Sequence, residues 1–185
     1  MSLLTEPILT ERLSLRILLP EDAAILQAYL LANRSHLAHW EPLRTEEYFS
    51  LEQCRQRLVG SYLNMEAGSA LHLAVFLSGS PPMIGICHFS NIVRGVFQAC
   101  HLGYAIAEEY QGRGYMREAL QAGISHMFQQ VGLHRVMANH LPDNLRSAKL
   151  LQSLGFEREG YAKSYLKING RWQDHVLNAL LNPAG

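Results

Sequence analysis

Cysteine is scarce in this 185-residue chain: Cys54, Cys87 and Cys100 are the only three, odd in number and unpaired in spacing. That pattern excludes a disulfide framework and a zinc knuckle, and no metal site is expected; the three read as small buried apolar side chains. An excess of charge of either sign is also missing, since 16 Lys plus Arg balance 16 Asp plus Glu. Without an overall basic field, neither direct nucleic acid binding nor attachment to an acidic membrane surface is expected. Long apolar runs are absent too. The most apolar stretch, Leu71–Leu77, is interrupted by His72 and falls far short of the roughly 20 residues a bilayer helix needs. Residues 1–16 carry Glu6, Glu11, Arg12 and Arg16 among alternating polar and apolar positions, unlike a signal peptide, so a cytoplasmic location is expected. What the chain does have is 48% hydrophobic and 17% charged residues, the composition of a packed globular protein rather than a disordered one. Its length suits one domain spanning residues 1–185 better than two.

Periodicity gives the element order. Residues 9–17 alternate in the manner of a half-buried strand. Pro20, Glu21 and Asp22 then open a helix with Ile25, Leu26, Tyr29 and Leu30 on one face, and Ser50 with Gln53 forms a capping-box pattern for a second. Leu71, Leu73, Val75 and Leu77 alternate before a turn at residues 78–82 and a second run at 83–89, which together read as a hairpin. A third run, Ala99–Ile106, precedes a glycine-rich segment and a helix carrying Met116, Leu120, Ile124, Met127 and Phe128. There follow a short strand, Arg135–His140, a helix over 144–154 stopped by Gly155, and two strands flanking Asn169-Gly170. The order is mixed α+β or α/β.

The segment Gln111-Gly112-Arg113-Gly114-Tyr115-Met116 lies between a strand and a helix. There, successive backbone N–H groups can converge on an anion at the positive end of the helix dipole, with Arg113 beside it. A glycine-rich turn without a ligand is the alternative that composition leaves open. No Lys follows the glycines, which excludes a Walker loop, and Arg117 stands where a dinucleotide fingerprint needs its third glycine.

Gly103-Tyr104-Ala105-Ile106-Ala107-Glu108-Glu109-Tyr110-Gln111-Gly112-Arg113-Gly114 resembles the strand-to-loop signature of the GNAT superfamily of acetyl-CoA-dependent N-acetyltransferases. Gln111 and Gly114 match the loop pattern, and Met116 departs from it at the last position. Further along, Thr10-Glu11-Arg12-Leu13, Leu133-His134-Arg135, Asn144-x-x-Ser147 and Leu154-Gly155-Phe156 fall in the order seen in the ribosomal-protein N-terminal acetyltransferases. Gly160-Tyr161-Ala162-Lys163 and Asp174-His175-Val176-Leu177 are most similar to the branch that acetylates the N-terminal alanine of a small-subunit ribosomal protein. The resemblance implies a GNAT-like α/β domain: a central, mostly antiparallel, twisted sheet of about seven strands, flanked by helices and splayed between strands 4 and 5.

It also implies site roles. Acetyl-CoA would lie against the backbone of Tyr104, Ala105 and Ile106, with its diphosphate on Gln111, Gly112, Arg113, Gly114, Tyr115 and Met116. Amides of Glu108 and Glu109 would contribute, and Asn144 would reach the pantetheine arm. Ser147 would protonate the departing thiolate, and His101, where relatives carry Glu, would be the general base, with His140 a second choice. Each residue has a plainer reading: Asn144 as a helix N-cap with Ser147 in the first turn, Tyr104 as a core aromatic, His101 as a satisfied histidine, Trp40 as structural rather than a groove wall. The acceptor is expected to be a protein N-terminus. Deprotonating an α-amine of pKa near 8 costs only ~1.4 kcal/mol at pH 7, against ~4.6 kcal/mol for lysine, so the missing carboxylate favours α-amines. Acetylation of a small amine such as an antibiotic or polyamine, and a CoA-binding role in ribosome assembly that does not need Ser147, are the rival readings.

Overall fold

The computed structural model describes residues 3–78 and 80–184; Gly79, in the turn expected at 78–82, lies outside them. Among the described residues eight strands form one sheet in the order β1-β2-β3-β4-β5-β6-β8-β7. The first strand expected at 9–17 is two short ones, β1 (Ile8–Leu9) and β2 (Leu13–Arg16), folded back on each other at a turn in which Thr10 N donates to Leu13 O at 2.9 Å. Next come a 3-10 turn, Pro20–Asp22, and the helices α1 (Ala23–Ala32), α2 (Arg34–Leu37) and α3 (Leu51–Glu66). Ser50 caps α3 by accepting from Gln53 N at 3.2 Å, but Gln53 reaches out to Glu47 instead of back to Ser50, so the capping box is half formed.

Strands β3 (Leu71–Leu77), β4 (Ser80–Val93) and β5 (Ala99–Ile106) make an antiparallel meander. β4 starts earlier than the sequence suggests, because Pro81 and Pro82 fall in an irregularity between the paired residues Ser80 and Met83, where the ladder needs no amide. Then follow α4 (Tyr115–Gln129), β6 (Arg135–His140), α5 (Leu145–Ser153), β7 (Glu157–Ile168) and β8 (Arg171–Leu181). β8 inserts between β6 and β7, so the closing hairpin joins the sheet through its second strand.

The period-2 pattern sends alternate side chains to two cores. Leu71, Leu73, Val75, Cys87, Phe89, Cys100 and Leu102 pack with Met116, Leu120, Ile124 and Met127 of α4. Ala74, Phe76 and Met83 pack on the other face with Tyr29, Leu30, Cys54 and Leu58 of α1 and α3. α4 lies so close to the sheet that a Cβ on Gly123 would stand 3.0 Å from the Phe89 ring and 3.2 Å from Cys87 Sγ. No helix among the described residues is long and apolar enough to cross a membrane.

On the α3 side, His72 of β3 lies opposite His88 of β4 with the rings stacked, centroids 4.3 Å apart, and Ser61 Oγ is 2.9 Å from His72 Nδ1. Burial, helped by the neighbouring His72, pushes His88 down to about 3 from its usual 6.5. Between those values the unfolded chain binds more protons than the folded one. Stability is therefore full above pH 6.5 and is lost as pH falls toward about 3. Denaturant titrations at pH 7 and pH 5 should show the loss, and His88→Phe should narrow the difference; an unchanged difference would contradict this role for the pair.

Candidate active site

Among the described residues β5 and β6 are the one parallel pair in the sheet, and they hold together for only three residues, Ala99, Cys100 and His101 against Arg135, Val136 and Met137. Beyond that point they diverge; these are the strands expected to splay as the fourth and fifth, and they count as β5 and β6 because the expected first strand is split in two. On its far side β5 stays paired with β4 through Ile106. From Leu102 onward the other edge of β5 therefore offers unpaired main-chain groups to whatever enters the cleft, those of Tyr104 and Ile106 among them, while the intervening Ala105 turns its own toward β4.

The cleft leads to the glycine loop. Gly112 and Gly114 take φ of 72° and 80°, and Gly114 is the residue that caps α4. The left-handed conformation makes glycine the natural residue here, and a Cβ at Gly112 would meet nothing within 4 Å. The amides of Gly112, Arg113 and Gly114 have no acceptor among the described residues, and those of Tyr115 and Met116 start a helix whose first N–H groups have no intrahelical partner. Five successive amides without an acceptor among the described residues thus lie at the positive end of a 15-residue helix, three of them on exposed residues. Arg113 is exposed, its guanidinium 5.8 Å from the Tyr110 ring centroid. Met116 is buried in the core, so only its backbone faces the loop. The Glu108 amide is not part of this surface, because it donates to Asn33 Oδ1 at 3.2 Å. Gln111 is held by its side chain, which donates to His36 Nε2 of α2 at 2.8 Å and accepts from Arg146 of α5.

Across the cleft, Tyr104 and Ser147 meet. Their hydroxyl oxygens are 2.6 Å apart, joining β5 to the first turn of α5. Burial pushes the Tyr104 phenol up to about 12, partly offset by the bond to Ser147, so it stays protonated at neutral pH. Asn144 caps α5, its Oδ1 accepting from Ser147 N at 3.1 Å, which fixes where the Ser147 hydroxyl stands. The sequence pattern of Asn and Ser three apart thus has a local structural cause.

On the opposite face of β5, the cover supplied by α1 and α3 ends at Gly103, which is exposed and where a Cβ would meet no atom within 4 Å. His101 is two residues back on this face, opposite Ser90 and Met137. Its Nδ1 is buried without a hydrogen-bond partner, and burial pulls its pKa down, so it is neutral at pH 7 and able to accept a proton. His140 is buried, with Nδ1 donating to Leu141 O at 2.8 Å. Trp40 is half-buried against His39, whose Nε2 is 3.7 Å from Asp143 Oδ2. The loop carrying Trp40 also reaches the final hairpin, where Glu41 O accepts from Asn169 N at 2.9 Å. Residues 36–44 therefore bridge the glycine loop, the start of α5 and the hairpin tip. His36 and Arg146 carry no motif that sequence reading can pick out, because their role depends on three elements meeting at Gln111.

The same architecture recurs in known proteins. Residues 12–157 match the family model of the acetyltransferase (GNAT) domain. The chain is 46% identical over 176 residues to the [ribosomal protein uS5]-alanine N-acetyltransferase of Escherichia coli, covering 94% of this chain and 90% of that one. The crystal structure of the ribosomal-protein-S5-alanine acetyltransferase from Vibrio fischeri superposes with a TM-score of 0.92 at 40% identity, covering 97% of this chain and 98% of the other. Mycobacterium smegmatis RimJ in complex with CoA-disulfide superposes with a TM-score of 0.86 at 28% identity, covering 96% and 90%. The fold is therefore shared with a relative solved in complex with CoA-disulfide, and this chain belongs to the GNAT family of acetyltransferases and is an N-acetyltransferase.

Proposed function

We propose that this enzyme transfers the acetyl group of acetyl-CoA to the α-amine of an N-terminal alanine on ribosomal protein uS5. The observation that carries the reading is the 46% identity, over nearly the whole of both chains, to the Escherichia coli enzyme whose name states that acceptor. The site supports it. The open edge of β5 suits the amides of the pantetheine arm, and the five amides of residues 112–116 suit a diphosphate. Bound acetyl-CoA supplies a thioester whose carbonyl carbon a neutral amine attacks directly.

The chain's own groups have three tasks. The free amides of Tyr104 and Ile106 on β5 polarise the thioester carbonyl. The hydroxyl pair of Ser147 and Tyr104 donates a proton to the departing thiolate, with either oxygen in front and the other behind it. His101, held toward the neutral form by burial, accepts the proton the amine gives up, and since its Nδ1 is enclosed in the protein the accepting atom is Nε2. Depression of its pKa makes it a weak base, which an α-amine tolerates and a lysine does not.

Three outcomes follow. Gly114→Asp, which keeps a residue able to adopt the left-handed conformation but sets a carboxylate against the phosphates, should abolish the thermal shift given by CoA and leave the apoprotein folded. Ser147→Ala should lower kcat by roughly 10- to 1,000-fold with little change in acetyl-CoA affinity, and Tyr104→Phe should lower it less. Wild-type turnover in the Ser147 variant would remove the hydroxyl pair from the mechanism. With peptides copying the uS5 N-terminus, the free α-amine should be acetylated and internal lysines spared, at a rate rising as pH approaches the amine pKa of about 8. Faster reaction of an N-terminally blocked, lysine-containing peptide or of a polyamine would overturn the assigned acceptor.

A further inference from the structure

The turn between β1 and β2 is far from the chemistry in sequence, yet it is bound to the first turn of α4 by an unusually dense set of contacts. Glu118 Oε1 accepts from Thr10 Oγ1 at 2.6 Å and from Arg12 N at 2.9 Å, while Oε2 accepts from Arg12 Nε at 2.7 Å and lies 2.6 Å from Arg12 Nη2. The remaining guanidinium nitrogen, Nη1, donates to the carbonyl of Arg113 at 3.0 Å. The guanidinium carbon lies 4.6 Å over the Tyr115 ring, and Nη2 is 3.4 Å from where a Gly114 Cβ would stand. All three guanidinium nitrogens are thus used, on a side chain that remains 42% exposed.

We propose that Arg12 is a positioning residue that prepares the glycine loop for an anionic cofactor, by turning the Arg113 peptide and by neutralising Glu118. The proposal rests on the reading of that loop as the diphosphate site. A trans peptide points its C=O and its N–H in opposite directions. Drawing the Arg113 carbonyl onto Arg12 therefore turns the N–H of Gly114 to the other side, where the amides of the loop are free. The second effect is electrostatic. A carboxylate in the first turn of a helix stabilises the free helix but repels a diphosphate brought to the same end. Burial pushes Glu118 up, but hydrogen bonds from Thr10 and Arg12 outweigh it and keep the carboxyl below its usual range, so the charge is present at neutral pH. Arg12 lies directly against that charge. An ion pair this exposed adds little to folding stability, which leaves the loop as its main beneficiary.

The test compares acetyl-CoA with S-acetylpantetheine, a donor that carries no phosphate. Arg12→Ala should raise KM for acetyl-CoA about tenfold with kcat nearly unchanged, the size of a lost hydrogen bond to a charged group, while kcat/KM for S-acetylpantetheine and the melting temperature stay close to wild type. Glu118→Gln alone should leave KM near wild type, and Arg12→Ala/Glu118→Gln should recover part of the loss, because the uncompensated carboxylate is gone. An unchanged KM in Arg12→Ala, an equal loss with both donors, or a double variant as impaired as the single one overturns the proposal. The loop reading fails separately: if Gly114→Asp binds CoA normally the site itself is misplaced, whereas a silent Arg12→Ala beside a disrupted Gly114→Asp removes only the role of Arg12.

Discussion

Everything in this active site depends on the brief parallel pairing of β5 and β6. Three residues of ladder are enough to align the strands, and the parting that follows creates an edge inside the molecule rather than at its rim. Parallel strands need a crossover, and the crossover here is α4, which has to lie on the sheet for its start to face the same cleft. Gly123 suits that approach, since a Cβ there would stand 3.0–3.2 Å from the side chains of Phe89 and Cys87 and could be admitted only if they shifted. The unsatisfied groups at the two ends of the path, the edge of β5 and the amides beginning α4, are then two parts of one ligand surface.

Charge is used sparingly around it. The hydroxyls of Tyr104 and Ser147 form a neutral pair that spans the cleft. The histidines on the other face, His72, His88 and His101, are all held toward the neutral form by burial. A site with His101 in place of a carboxylate on β5 suits an amine that is already partly neutral near pH 7. That is the property of a protein α-amine and not of a lysine.

Most of the element order was legible in the sequence because it is set by local rules. Period-2 alternation marked β3, an apolar run before the glycine segment marked β5, the Ser50 cap marked α3, Gly155 ended α5 with φ of 85°, and Asn169-Gly170 made the final hairpin with both residues at positive φ. The divergence of β5 from β6 came through the family resemblance, since no local pattern encodes it. Three features were illegible for the same reason. The turn at Thr10 to Arg12 splits the first strand because Glu118, more than 100 residues away, binds it. Pro81 and Pro82 read as turn residues because a bulge is invisible without its partner strand. Tyr104 and Ser147 read as separate candidates because their contact joins residues 43 apart. Each depends on tertiary proximity.

The most direct measurement of the account is amide hydrogen–deuterium exchange of the full chain with and without CoA. The loop amides of Gly112, Arg113 and Gly114 have no protein acceptor among the described residues, so they should exchange fast in the free enzyme and slow together with those of Tyr104 and Ile106 when CoA is added. Protection confined to other segments, or none at the loop under saturating CoA, would contradict the claim that the parting of β5 and β6 and the start of α4 form one cofactor site.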